Sequence, residues 1–234
     1  MIIDCPRSTD LPGLRRLWMQ AFGDSSALLD NFYRVGFSFD RCRCIREGEE
    51  IVAALYWFDC HWGSKKVAYI YAVATDVFYR GKGLCHQLMA DTHRQLQEQG
   101  YSGAVLVPAD DGLVSLYAKL GYRCFCTVDE MSTAGKNIQA ATEITPAEYA
   151  GLRKSFLGEN AIFQDVTVFD YLATYGGFYK TPGGICCGYW ENDTFHLEEL
   201  LGENIPCQAT SLQAMYLSLD KDSQLPGYFA IPLN

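Results

Sequence analysis

The chain has 234 residues, 49% of them hydrophobic, and a formal net charge of −9. That length allows one large domain or two small ones. The acidic balance argues against nucleic acid as a partner, since its binders carry basic patches, and it is compatible with a cationic substrate.

The start, Met1-Ile2-Ile3-Asp4-Cys5-Pro6-Arg7, shows no basic segment ahead of a long apolar run. No apolar stretch reaches the roughly 20 residues of a membrane helix. A cytoplasmic protein with no membrane partner is expected. The 10 cysteines are scattered without a Cys-x-x-Cys pair, and the 4 histidines lack zinc-like spacing, so free thiols and no metal are expected.

Ile2-Ile3-Asp4-Cys5 reads as a first strand. Asp10 is placed to cap a helix over 11–22, with Leu14, Leu17, Trp18 and Phe22 on one side. A second helix over 25–36 carries Leu28, Leu29, Phe32 and Tyr33. Cys42–Ile45 and Ile51–Phe58 form a hairpin around a polar turn, and Val67–Ala74 is a buried strand. Leu84, Leu88, Met89, Thr92 and Leu96 mark the inner face of a helix ended by Gly100. Ala104–Pro108 is a strand, Leu113–Leu120 a short helix and Arg123–Val128 a strand.

Near 132–142 the composition shifts to that of a linker or exposed strand, and a strand over 123–142 would leave an edge for a homodimer. Residues 1–134 and 135–234 are therefore read as two units. The second opens with Thr145-Pro146-Ala147-Glu148, a capping box. It echoes the first: Gly151-Leu152-Arg153-Lys154 follows Gly13-Leu14-Arg15-Arg16. The hairpin of Ile185–Trp190 and Thr194–Leu201 follows the earlier hairpin, and Tyr228–Pro232 follows Gly103–Pro108. Gly202-Glu203-Asn204-Ile205-Pro206 offers no phosphate cradle.

The sharpest signal is Arg80-Gly81-Lys82-Gly83-Leu84-Cys85, between a buried strand and an amphipathic helix. A glycine loop opening a helix leaves backbone N–H groups converging on one spot, which suits a phosphate. Arg80 and Lys82 add positive charge there.

The element order and two motifs resemble the GCN5-related N-acetyltransferases. Arg80, Gly83 and Cys85 lie on the family's loop pattern, and Leu116-Tyr117-Ala118-Lys119-Leu120-Gly121-Tyr122 lies on its second signature. The resemblance is good over 40–130, fair over 1–40, and past 135 rests on the internal echo. Cys85 stands where Gly or Ala is usual, and Asp110 where an Asn often caps the last helix.

The resemblance implies an α/β fold with a mixed, mostly antiparallel sheet flanked by helices, and a smaller α/β unit behind it. It implies acetyl-CoA in a V between the strands ending at Ala74 and Val107. The pantetheine arm would meet the backbone of Val73, Ala74 and Thr75, with the pyrophosphate on Arg80, Gly81, Lys82, Gly83, Leu84 and Cys85. The chemistry is attack of a neutral amine, on a small molecule or peptide, upon a thioester. An N–H near Val73 would stabilise the oxyanion, and Tyr117 would serve as proton donor. The general base stays open among Asp59, His61, Glu198 and Glu199. Trp57, Trp62 and Tyr71 are candidates for an amine pocket. The competing reading is a non-catalytic acyl-CoA-binding module with a partner-binding second unit.

Overall fold

The computed structural model describes residues 1–129, 141–158, 161–191, 194–202 and 211–220. The chain begins β1 (Ile2–Asp4), α1 (Leu11–Phe22), α2 (Ser26–Asn31), β2 (Cys42–Glu47), β3 (Glu50–Trp62) and β4 (Lys65–Thr75). It continues α3 (Leu84–Glu98), β5 (Gly103–Leu106), α4 (Asp111–Lys119) and β6 (Arg123–Asp129). Then come β7 (Thr142–Ile144), α5 (Pro146–Phe156), β8 (Ile162–Gln164), α6 (Val166–Leu172) and β9 (Gly177–Thr181). Last are β10 (Gly184–Glu191), β11 (Thr194–Gly202) and β12 (Ser211–Ser218).

The larger sheet runs β1-β2-β3-β4-β5-β12-β6, with β8 added to the far end of β3. All of its pairs are antiparallel except β4–β5, which the crossover helix α3 makes parallel. Alternation along β3 splits its apolar side chains between two cores. Val52, Leu55 and Trp57 meet the α3 stripe of Leu84, Leu88, Met89 and Leu96. Ile51, Ala54, Tyr56 and Phe58 meet Leu14, Leu17 and Trp18 of α1 and Leu29 and Phe32 beyond it. Leu88 and Leu96 are fully buried, each contributing roughly 2 kcal/mol by area. Gly13 lets α1 lie close on β3, since a Cβ there would stand 2.9 Å from Ile51 Cγ1.

The smaller sheet runs β11-β10-β9-β7. Apart from β8, which joins the larger sheet, its order repeats the start of the chain: strand, helix, helix and three antiparallel strands, with β7-β9-β10-β11 neighbouring one another as β1-β2-β3-β4 do. Its own core gathers Tyr149, Phe169, Phe178, Ile185, Cys187 and Leu201.

Several local expectations need correction. Asp10 precedes α1, but its carboxylate does not cap that helix; it accepts from the Arg7 N–H at 2.6 Å and from Arg46 at 2.8 Å. The helix expected over 25–36 stops at Asn31 and widens into a π-type turn over Phe32–Gly36, closed by the Phe37 N–H on the Phe32 carbonyl at 2.9 Å. β12 was not expected at all, and it inserts between β5 and β6, so the larger sheet draws strands from both sides of residue 134. The capping box at Thr145 and Glu148 is formed. The segment at 132–140, residues 203–206 and the echo at 228–232 lie outside the described residues. β6 ends the larger sheet.

Candidate active site

β4 and β5 pair only from Val67↔Gly103 to Tyr69↔Val105. β5 stops at Leu106 while β4 continues to Thr75, so the strands part and a V opens between them. The upper part of β4 is bulged. Its register on β3 passes from Tyr56↔Tyr71 to Ala54↔Ala74, which sets Ala72 and Val73 against Leu55 alone. Ala72 takes φ 48°, the one non-glycine in the left-handed region among the described residues. The bulge shifts the side-chain alternation: Tyr69, Tyr71, Ala72 and Ala74 face the α1 side, while Ile70 and Val73 face α3. It also takes backbone groups out of the ladder at the mouth of the V.

The turn after β4 is built to hold its shape. Asp76 is buried, its carboxylate accepts from Arg16 at 2.8 Å and from the Phe78 N–H at 3.0 Å, and its own N–H bonds the Val52 carbonyl at 2.9 Å. The Arg16 hydrogen bond holds the Asp76 carboxyl below the usual carboxylate range. An Asp two positions before a turn N–H is a recognisable Asx signal. Arg80 reaches back to the Thr75 carbonyl at 3.1 Å, and Lys82 lies over the Tyr79 ring at 4.6 Å from its centre.

Gly81 and Gly83 take φ 74° and 75°, and Gly83 is the N-cap of α3 with no side chain capping it. The first-turn N–H groups of α3, from Leu84 and Cys85 onward, therefore lack the acceptor that Ser or Asp would supply. Residues 80–83 are exposed, and a Cβ at either glycine would meet open space. This loop fits a pyrophosphate. Cys85 causes no obstruction: it turns inward against the α3 core, and burial raises its thiol above its usual range. Asp110 also only caps, accepting from the Leu113 N–H at 2.8 Å at the start of α4.

Tyr117, on α4, is 6% exposed, its ring centre 5.7 Å from that of Tyr122 and packed in the core that Cys85 joins. Burial, reinforced by Cys85 and Asp110, raises its hydroxyl far above the ordinary tyrosine range.

The open candidates for a base separate clearly. Asp59 is engaged by the Tyr101 hydroxyl, by Arg41 at 3.4 Å and by Lys66 at 3.7 Å. His61 pairs with Asp165 at 3.1 Å at the β8 end of β3. Glu199 is gripped by Arg153 through two bonds at 2.7 and 2.8 Å and by Tyr149 at 2.7 Å. Glu198 has no hydrogen bond or ion pair of that kind among the described residues. Trp57 is 1% exposed and bonds the Tyr101 hydroxyl at 3.2 Å, so it is core. Trp62 packs at the β8 end beneath Lys65, and of the three expected pocket aromatics only Tyr71 lies beside the bulge.

A family profile described as the acetyltransferase (GNAT) domain matches residues 3–125, more than half of the chain. The chain belongs to the GNAT acetyltransferases. Acetyl-CoA is the co-substrate that goes with this family, and the splayed strands and side-chain-free helix start fit it. No curated protein matches the chain. Among solved structures, a GCN5-related N-acetyltransferase from Kribbella flavida aligns with a TM-score of 0.69 at 17% identity, over 94% of this chain and 71% of that one. One from Anabaena variabilis aligns at 0.70 and 14% identity, over 94% and 73%. A Pyrococcus horikoshii protein assigned as an acetyltransferase aligns at 0.65 and 16% identity, over 100% and 94%. At these identities the likeness is one of fold, and it extends through the second sheet. This GNAT member is thus an acyltransferase that draws its acetyl group from acyl-CoA.

Proposed function

We propose that this GNAT protein is an N-acetyltransferase that moves the acetyl group of acetyl-CoA to a primary amine of a small molecule or peptide, by direct attack on the thioester. The observation that carries the reading is the V between β4 and β5, with a bulge at Ala72 and Val73 at its mouth and an uncapped glycine turn at its end. Acetyl-CoA, when bound, supplies the electrophilic carbonyl and the thiolate leaving group.

The chain's own residues do the rest. Val73, Ala74 and Thr75 present strand backbone to an extended arm. Arg80, Gly81, Lys82, Gly83, Leu84 and Cys85 hold two phosphates with N–H groups and positive charge. A backbone N–H released by the bulge at Ala72–Val73 donates to the oxygen on which charge develops. Tyr117 keeps its proton throughout the neutral range because burial raises its hydroxyl. It therefore offers a hydrogen bond to the departing sulfur, whose free thiol titrates at roughly 8.5.

Release of free thiol from acetyl-CoA on mixing with a panel of amines tests the activity. Tyr117→Phe is expected to lower turnover with little change in CoA affinity. Unchanged turnover would remove Tyr117 from the mechanism. CoA binding without thiol release for any amine would favour a non-catalytic acyl-CoA-binding module instead.

A further inference from the structure

The two faces of the V differ. On the α3 side, Val73 of the bulge packs with Leu113 and Val114 of α4 against the core that holds Tyr117, and the cofactor loop opens α3 on that same side. On the α1 side, Tyr71 and Ala72 stay half-exposed. An acceptor therefore approaches the bulge from the α1 side. The second unit shapes that side. β8 pairs with the far end of β3, and the Asp165 N–H bonds the Asp59 carbonyl at 3.0 Å. This lays α6 against the turn of Phe32–Gly36, with the Tyr171 ring centre 5.5 Å from that of Phe32.

A series of rings runs from the bulge into the second unit. Tyr71 and Tyr171 both rest on Phe58, with ring centres at 5.4 and 6.5 Å. Tyr171 meets Tyr175 at 5.4 Å, and Tyr175 meets Tyr189 of β10 at 6.0 Å. The planes turn by 63° between Phe58 and Tyr71, 69° between Tyr171 and Tyr175 and 66° between Tyr175 and Tyr189, which is edge-to-face packing. Phe58 and Tyr171 are buried, whereas Tyr71 is half-exposed and Tyr175 is 38% exposed, so ring surface is left uncovered at those two. Tyr175 is firmly placed. Its N–H and that of Gly176 both bond the Leu172 carbonyl, at 3.1 and 2.7 Å. A Cβ at Gly176 would stand 2.6 Å from the Gly188 carbonyl oxygen, so this turn is pressed onto β10. Burial pushes the Tyr71 hydroxyl up to about 12, which leaves that ring uncharged at neutral pH.

Edge-to-face rings with uncovered surface are best continued by another ring, because aromatic pairs with centres roughly 4.5–7 Å apart gain more than their buried area alone supplies. We propose that the acceptor is an arylalkyl primary amine, whose ring seats against Tyr71 and Tyr175 and whose nitrogen reaches the acyl carbon beside the bulge at Ala72. This rests on the acetyl-transfer reading above and narrows its acceptor class. Tyr71 directly precedes Ala72, so a ring held on Tyr71 leaves an amine on a short alkyl arm at the bulge. The neutral nitrogen forms the C–N bond as the C–S bond breaks, and the proton it sheds ends on sulfur. Tyr175 is a specificity residue in this arrangement: it meets the ring and not the reacting atoms.

The test uses the full chain, acetyl-CoA and four acceptors: 2-phenylethylamine, 2-cyclohexylethylamine of nearly the same shape, n-butylamine and spermidine. The kcat/KM for 2-phenylethylamine is expected to exceed that for n-butylamine by roughly tenfold or more, and that for the cyclohexyl amine by about threefold or more. Tyr175→Ala should lower the ratio of 2-phenylethylamine to n-butylamine by about fivefold, mainly through KM, and Tyr175→Phe should restore it. Thermal unfolding and CoA affinity of each variant report whether it is folded. A spermidine or n-butylamine kcat/KM equal to or above that of 2-phenylethylamine overturns the proposal while the acetyl-transfer reading stands. So does a ratio that Tyr175→Ala leaves intact. If no amine releases thiol, the acetyl-transfer reading fails, and calorimetry of 2-phenylethylamine with CoA present decides the ring site: Tyr175-dependent binding sustains it, and no binding overturns it.

Discussion

Alanine at both Gly81 and Gly83 would test the cofactor loop directly. The two residues take φ 74° and 75°, and a Cβ at either meets no atom within 4 Å. The cost is therefore backbone strain, not collision. An L-residue in the left-handed region loses roughly 1–2 kcal/mol. At about 1.4 kcal/mol per tenfold, each substitution is worth roughly 5- to 30-fold in an equilibrium. The strain has two outlets. If the loop keeps its shape in the free protein, stability falls by that amount. If it relaxes, unfolding is untouched and CoA binding bears the loss, because the N–H groups must be regathered around the phosphates. Calorimetry with CoA and thermal unfolding, run on the same double variant, read both outlets. A double variant with wild-type unfolding and wild-type CoA affinity would refute the claim that the loop's left-handed backbone makes the phosphate cradle.

Two further predictions concern stability. Burial, with His86 nearby, pulls His93 from 6.5 down to about 4, and its Nε2 lies 2.9 Å from the Tyr122 hydroxyl. Its folded value is below the unfolded one, so between those pH values only the unfolded chain takes the proton. Stability then falls as pH drops through that window, by on the order of 3 kcal/mol in total. Denaturant melts at pH 7 and pH 4.5 should show less of this fall in His93→Gln; an identical fall would remove His93 as its source. Glu199→Gln strands the Arg153 guanidinium, which is 3% exposed. Breaking such a pair costs about 3 kcal/mol at the low end of the buried range, apt here because Glu199 keeps some solvent. For a chain of this size that is roughly 6–12 °C in Tm. Replacing both partners with Met should recover much of it, and a loss confined to one partner's removal is the signature to look for.

Features that depend on neighbours along the chain are readable from the residues alone. The α3 stripe, the loop of Gly81 and Gly83, the capping box at Thr145 and the hairpins all follow from local periodicity and turn chemistry, and they are formed. Arg80, Gly83 and Tyr117 are proposed for the site on their spacing, which is itself the signal. Features that depend on distant pairing emerge in the folded chain. The β4 bulge at Ala72 has no marker in the sequence, since alanine does not announce a positive φ. The insertion of β12 beside β5 joins residues more than 100 positions apart. The three candidate carboxylates and the one imidazole looked alike in one dimension. They parted only when Arg153, Tyr101, Lys66 and Asp165 closed on three of them. A residue's type sets what it can do chemically, whereas its occupation is set by partners that the fold brings from elsewhere.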